Sequence, residues 1–190
     1  MNVPNKLTVS RLALTVAFLA AIFCELPFSK TAALILFSIA GLTDYFDGKI
    51  ARRDKLITTF GTLMDPLADK ILTCSAFIAF VGSGKIAAWM AVIIVTRELA
   101  ITGLRLLAAS KQVVLAAEGY GKHKTISQIV AIISLLVLIS YPEWGPWARA
   151  ALEWWVPLFT EVSKWVAVFL TLSSGVLYFA RNRVLFLHDL

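Results

Sequence analysis

Long apolar runs separated by short polar breaks dominate the chain. Leu7 to Leu26 is apolar apart from Arg11 and Glu25, and Pro27 to Lys30 forms a turn. Thr31 to Ala51 is a second run, polar only toward its end, followed by the charged connection Arg52 to Lys55. Thr59 to Val81 is a third, polar at its beginning, and Gly82 to Lys85 is a tight turn. Ile86 to Ala109 is a fourth, with Arg97, Glu98 and Arg105 inside it. A polar stretch, Ser110 to Lys124, leads into a clean fifth run, Thr125 to Tyr141. Pro142 to Pro157 is rich in Trp, Pro and Glu, Val162 to Phe179 is a sixth run, and Arg181 to Leu190 is a short tail. Each run approaches the roughly 20 residues that a helix needs to cross a bilayer. The pattern predicts an all-α integral membrane protein of six transmembrane helices forming one domain, residues 1–190.

Composition agrees. Of the residues, 59% are hydrophobic and 16% charged, and the mean hydropathy is +0.80. A soluble domain has about 45–50% apolar and about 25% charged residues, and a chain this short cannot hide such an excess from water. The net charge is +6, but no basic run is interleaved with aromatics, so a nucleic-acid partner is not expected. The bases flank the apolar runs instead. Lys6, Arg52, Arg53, Lys55, Lys111, Lys122, Lys124, Arg181 and Arg183 fall on one side of a six-span topology, against Lys30, Lys85, Arg149 and Lys164 on the other. The positive-inside rule makes the richer side cytoplasmic, with both termini there. Trp144, Trp147, Trp154 and Trp155 then read as an interfacial belt on the outer side, on a short helix lying flat. Cys24 and Cys74 sit in apolar runs without ligand-type spacing, so they are read as packing residues. The opening MNVPNKLTVSR has no cleavable signal pattern, and no internal repeat suggests a transporter built from duplicated halves.

Candidate chemistry gathers between Gly41 and Lys70. Asp44, Asp47, Asp65 and Asp69 are four of the 12 acidic residues, placed at the polar ends of spans two and three. At about 100° per residue, Asp44, Asp47, Gly48, Ala51 and Arg52 share an arc of roughly 140° on one helix. Gly61, Asp65 and Asp69 share roughly 80° on the next. Facing helices would offer four carboxylates to one cavity, a set of hard oxygen ligands suited to Mg2+, Mn2+ or Ca2+. Four negative charges exceed what one ion requires, and a metal pair is the usual clamp for phosphoryl transfer. Gly48, Ala51 and Gly61 leave room for a bulky ligand, or alternatively allow tight helix packing. Arg52 offers a planar fork for phosphate, or alternatively an interfacial anchor.

The segment fits D-x-x-D-G-x-x-A-R-x8-G-x-x-x-D-x-x-x-D at Asp44, Asp47, Gly48, Ala51, Arg52, Gly61, Asp65 and Asp69. This is the signature of the CDP-alcohol phosphatidyltransferase family, which the chain therefore resembles. Asn2 to Arg11 (NVPNKLTVSR), Asp65 to Lys70 (DPLADK), Arg97-Glu98 with Arg105, and Gly121 to Gln128 (GKHKTISQ) resemble its bacterial phosphatidylglycerophosphate synthase branch. The likeness covers nearly the whole chain.

The resemblance implies transfer of a phosphatidyl group from CDP-diacylglycerol to sn-glycerol 3-phosphate, with release of CMP. It implies two divalent cations, Mg2+ or Mn2+, held by Asp44, Asp47, Asp65 and Asp69, with Asp69 also the general base. Gly48, Arg52 and Thr58 match family positions that contact the CDP moiety, and Asn5 and Thr8 are candidates for the same pocket. Arg105, Lys122, Lys124 and Arg97 are candidates for the acceptor phosphate. Lys122 and Lys124 also fit topological anchors. Arg105 needs a partner within an apolar span, and Glu98 is the expected structural partner of Arg97. His123 and His188 are expected in solvent. The resemblance further implies a homodimer in a bacterial inner membrane, with its active site at the cytoplasmic face. Rival readings are a relative using inositol phosphate or phosphatidylglycerol as acceptor, and, from another class, a divalent-cation transporter.

Overall fold

A backbone surrounded by hydrocarbon must satisfy its own polar groups, and a helix does so within one segment. A computed structural model of the chain follows that rule. It describes residues 3–54, 59–110 and 120–183, with side chains for 9–43, 67, 70–109 and 123–183. All regular structure among these residues is helical: α1 Val3–Phe23, α2 Ser29–Asp54, α3 Thr59–Gly82, α4 Ala88–Ser110, α5 Tyr120–Ser140, α6 Pro146–Leu152 and α7 Val156–Arg181, with a 3-10 turn at Tyr141–Trp144.

The helices run past the hydropathy boundaries. The α2 helix continues through Arg52, Arg53 and Asp54, and α5 begins at Tyr120, inside the stretch expected to be a polar loop. Apolarity marks where a helix leaves lipid, whereas hydrogen bonding continues into water. The α7 helix starts earlier than expected, at Val156, with Pro157 in its first turn, where the missing N–H is not needed.

The α1 helix packs on both α2 and α3, α5 packs on α2, α3 and α7, and α4 packs on α3 and α7. Phe18 and Phe37 meet with ring centroids 5.6 Å apart at the α1–α2 contact. Phe77, Phe80, Ile94, Ile132 and Leu135 fill the rest of the centre. Between α5 and α7 the contact is polar and close: Ser134 and Ser163 hydroxyls are 2.8 Å apart, and Thr160 Oγ1 donates to the Ser134 carbonyl at 3.2 Å. Small hydroxyl residues of this kind let helices approach in lipid. Val16, Ile35, Val92, Phe169 and Val176 point outward, an apolar exterior that suits hydrocarbon rather than water.

His123–Trp144 and Val156–Arg181 are each long and apolar enough to cross a membrane, and Val9–Phe23, Ser29–Thr43 and Lys70–Gly82 are shorter apolar helical stretches. Among the described residues the chain is all helical, as an α-helical membrane protein would be.

One end of the bundle is pinned by Glu143. Its carboxylate accepts from the backbone N–H groups of Lys30 (3.1 Å) and Thr31 (2.8 Å) and from the Thr31 hydroxyl (2.6 Å), capping the start of α2 from across the fold. Trp144 donates Nε1 to Thr31 Oγ1 at 2.9 Å, so it is a packing residue of this joint rather than a free member of the expected belt. Trp147 and Trp154 are exposed, as a belt requires. The short flat helix expected there corresponds in sequence to α6, which follows Gly145 at φ +96°.

Candidate active site

Chain direction gathers the chemistry at the opposite end. A Cβ on Gly82, at the end of α3, would lie 3.4 Å from the Phe23 ring at the end of α1. These two helices therefore run the same way, and α2 returns between them in sequence. The latter part of α2, bearing Asp44, Asp47, Gly48, Ala51 and Arg52, thus belongs to the same end as the first half of α3, bearing Gly61, Asp65 and Asp69. Asn5 and Thr8 lie in the opening turns of α1 at that end. All of these are placed as helix positions; their side chains, with that of Lys122 in the first turn of α5, are outside the described set. Thr58 and His188 lie outside the described residues altogether.

Beside the aspartates lies a buried charge cluster centred on Glu98 of α4. Glu98 is 1% exposed and Lys124 of α5 is 2% exposed, and the two form an ion pair through Oε1. Arg97 reaches the same oxygen with Nη1 at 3.3 Å, and Lys70 of α3 approaches Oε2 at 2.7 Å. Gln128, one turn beyond Lys124, donates Nε2 to Glu98 Oε1 at 3.3 Å and to Thr171 Oγ1 of α7 at 3.0 Å. Arg97 Nη2 also donates to Ser174 Oγ at 3.2 Å. Thr171, Ser174, Gly175 and Tyr178 recur at helical spacing, so one face of α7 forms the wall of this cluster.

Glycine at 175 is needed for the fit: a Cβ there would come within 3.1 Å of Arg97 Cγ. Arg105, two turns beyond Glu98, lies with its guanidinium carbon 5.7 Å from the Tyr178 ring centroid and its Nε 3.4 Å from the Tyr178 hydroxyl.

A single carboxylate buried in an apolar bundle costs several kcal/mol unless it is paired. Glu98 is more than paired. Even with Lys70 set aside, two cations share it, and Arg105 adds a third positive charge nearby. Arg97 Nε is buried without a hydrogen bond among the described residues. Among the described side chains positive charge therefore exceeds negative in this buried cluster, the condition that favours an anionic ligand.

The structure thus brings together three of the four residues expected at an acceptor phosphate, Arg97, Arg105 and Lys124. Glu98 is the partner of Arg97, as expected, but also of Lys70 and Lys124. His123 is exposed. Lys70, Gln128, Thr171, Ser174 and Tyr178 are not among the residues expected at the site. Lys70 and Gln128 lie within the Asp65–Lys70 and Gly121–Gln128 motifs, and the spacing of the α7 residues marks one helix face.

Lys70 follows Asp69 directly on α3, so the cation cluster begins one residue from the second aspartate pair. Among the described residues no group of three or more His, Cys, Asp or Glu could hold a metal. The four aspartate positions, with hard oxygen donors on two helices at one end, suit a divalent ion.

The chain is similar to known proteins over nearly its whole length. The family model described as CDP-alcohol phosphatidyltransferase matches residues 1–175. A Bacillus subtilis protein named CDP-diacylglycerol–glycerol-3-phosphate 3-phosphatidyltransferase is 38% identical over 199 residues, covering 95% of each chain. A protein of the same name from Rickettsia bellii is 33% identical over 178 residues, covering 94% of this chain and 93% of its own. A Mycobacterium tuberculosis protein named probable phosphatidylglycerophosphate synthase is 39% identical over 183 residues, covering 95% of this chain and 81% of its own. With a signature across α2 and α3, a match to all but the last fifteen residues and relatives similar over nearly their full length, the chain belongs to the CDP-alcohol phosphatidyltransferase family.

Proposed function

We infer that the chain transfers the phosphatidyl group of CDP-diacylglycerol to sn-glycerol 3-phosphate, yielding phosphatidylglycerophosphate and CMP. The observation that carries the reading is a buried, positively charged cluster beginning one residue from Asp69, in a chain 38% identical to a protein named for that transfer. One molecule of glycerol 3-phosphate would span the two regions, with its phosphate on Arg97, Arg105, Lys122 and Lys124 and its free hydroxyl at the aspartates.

Asp44, Asp47, Asp65 and Asp69 would hold two divalent cations, Mg2+ or Mn2+, which when bound polarise the phosphoryl oxygens and stabilise the leaving CMP. Asp69 takes the proton from the acceptor hydroxyl as its oxygen bonds to the β-phosphorus and the bond to CMP breaks. Gly48 leaves space for the CDP moiety, Arg52 supplies a bidentate donor to its phosphates, and Thr58, Asn5 and Thr8 line the same pocket. The acyl chains stay in the bilayer while the head group meets a soluble acceptor. That requirement fits a site at the cytoplasmic edge of a bacterial inner membrane, with six spans in one domain, 1–190, and both termini cytoplasmic. A homodimer completes the reading. A permeation role finds less support, because the acidic positions gather at one end of their helices.

The test is an acceptor panel. Purified protein with Mg2+ and CDP-diacylglycerol is expected to release CMP only when glycerol 3-phosphate is added, and to stop when EDTA removes the metal. Release driven instead by inositol phosphate or phosphatidylglycerol would overturn the acceptor assignment.

A further inference from the structure

Glu98 is 1% exposed, and the reaction gives it no proton to move and no ligand to touch. Yet α3, α4 and α5 converge on its carboxylate, through Lys70, Arg97 and Lys124, with Gln128 adding α7 through Thr171. A carboxylate beside an anion-binding region is at first sight unfavourable, since it repels the ligand. Its position is understandable if its value lies in geometry. Lys70, Arg97 and Lys124 are long side chains with many rotamers, and each loses much of that freedom when fixed. Glu98 fixes all three before a ligand arrives, as preorganisation requires.

We propose that Glu98 is a positioning residue for the acceptor: its buried carboxylate clamps Lys70, Arg97 and Lys124, setting the distance between the acceptor phosphate and the hydroxyl presented to Asp69. The inference rests on the acceptor reading above. Lys70 is central to it, because it ties the clamp to the helix turn that bears Asp69. The clamp thus registers two halves of one substrate against each other.

Substitution Glu98→Gln separates this from simpler roles because they predict opposite signs. Removing a repelling charge alone would lower KM for glycerol 3-phosphate. Loss of positioning is expected to raise that KM on the order of tenfold or more, while KM for CDP-diacylglycerol stays within about twofold. A fall in the acceptor KM, no change, or equal damage to both substrates with lowered thermal stability would each overturn the proposal.

Glu98→Asp keeps the charge but withdraws it by one methylene, and covers the case where Glu98→Gln does not fold. It too is expected to raise the acceptor KM selectively, and an unchanged KM would overturn the clamp. In the double variant with Lys124→Gln, the acceptor KM is expected to rise above that of Lys124→Gln alone, because Lys70 and Arg97 still depend on Glu98, but to fall short of the product of the two single effects; a full product would mean that Glu98 does not act through Lys124. If Lys124→Gln, Arg97→Gln and Arg105→Gln all leave the acceptor KM unchanged, the acceptor reading itself fails. If they raise it and Glu98→Gln does not, only the clamp fails.

Discussion

Replacing Glu143 by alanine tests whether the two ends of the bundle serve separate purposes. Glu143 stands at the tryptophan-bearing end, remote along the helices from Glu98 and the aspartates. Its carboxylate accepts three hydrogen bonds, at 3.1 and 2.8 Å from the backbone of Lys30 and Thr31 and at 2.6 Å from the Thr31 hydroxyl. Hydrogen bonds to a charged group contribute about 1.5–3 kcal/mol each. The three are not additive here, because the residue is only half-buried and water can replace part of what is lost. Loss of a helix cap by itself costs about 1 kcal/mol, and loss of a negative charge at a helix N-terminus a further 0.3–1 kcal/mol, roughly.

A total of about 1.3–2 kcal/mol follows. The Lys30 ammonium still holds the Ile22 and Cys24 carbonyls, and Trp144 still reaches Thr31, so the joint weakens without coming apart. For a chain of this length that corresponds to roughly 3–8 °C in Tm. The assay is thermal unfolding in detergent at one scan rate, paired with CMP release well below either midpoint. The expected result is a lower Tm with KM for both substrates unchanged. An unchanged Tm would refute the capping account, and a selective rise in the acceptor KM would refute the separation of the two ends.

Two further substitutions address the site. Asp69→Asn removes the proposed base and a ligand of the metals, so kcat is expected to fall at least about 100-fold; full activity in the CMP-release assay would dismiss the base assignment. Gly175→Ala gains about 0.5–1 kcal/mol of helix propensity but sets a Cβ 3.1 Å from Arg97 Cγ, and Arg97 is held by Glu98 and Ser174, so it cannot yield freely. Overpacking of about 1–3 kcal/mol wins, with a small loss of Tm and a several-fold rise in the acceptor KM; a stabilised variant with unchanged kinetics would show that Arg97 is free to move.

Pattern carried the shared end of the aspartate positions further than it carried the bounds of the elements. Asp44, Asp47, Asp65 and Asp69 fall at the shared end because helices joined by short connections must alternate in direction, and hydropathy reveals that alternation. Helix ends are less legible. Arg52 to Asp54 and Tyr120 to Lys124 are polar enough to look like loops, yet they continue α2 and α5, since a helix in water keeps its ladder. Partnerships across the bundle were the hardest to read. Lys124 and Glu98 lie in different runs, and a lysine at the edge of an apolar run has the same sequence appearance whether it anchors to lipid head groups or pairs inside. Arg11 appears as an interruption in an apolar run, but it is 1% exposed. Trp144 shares its neighbourhood with belt residues and differs only in what it bonds. In each case the deciding fact is a contact between distant segments, which no local pattern contains.

The charges of α4 also bear on how the protein is made. Arg97, Glu98 and Arg105 lie within one 23-residue helix, and a charged residue at the centre of a span disfavours insertion by about 2.5–3.5 kcal/mol. The α4 helix is accordingly unlike His123–Trp144 and Val156–Arg181, which are long and apolar enough to cross a membrane. It needs company. Lys70 on α3 emerges from the ribosome first and can neutralise Glu98 as α4 arrives, whereas Lys124 and the hydroxyls of α7 come later. During synthesis α4 would therefore remain beside α3 at the insertion machinery until α5 and α7 enclose it. A mutation at Lys70 would then reduce the amount of protein that reaches the membrane, quite apart from any effect on the reaction.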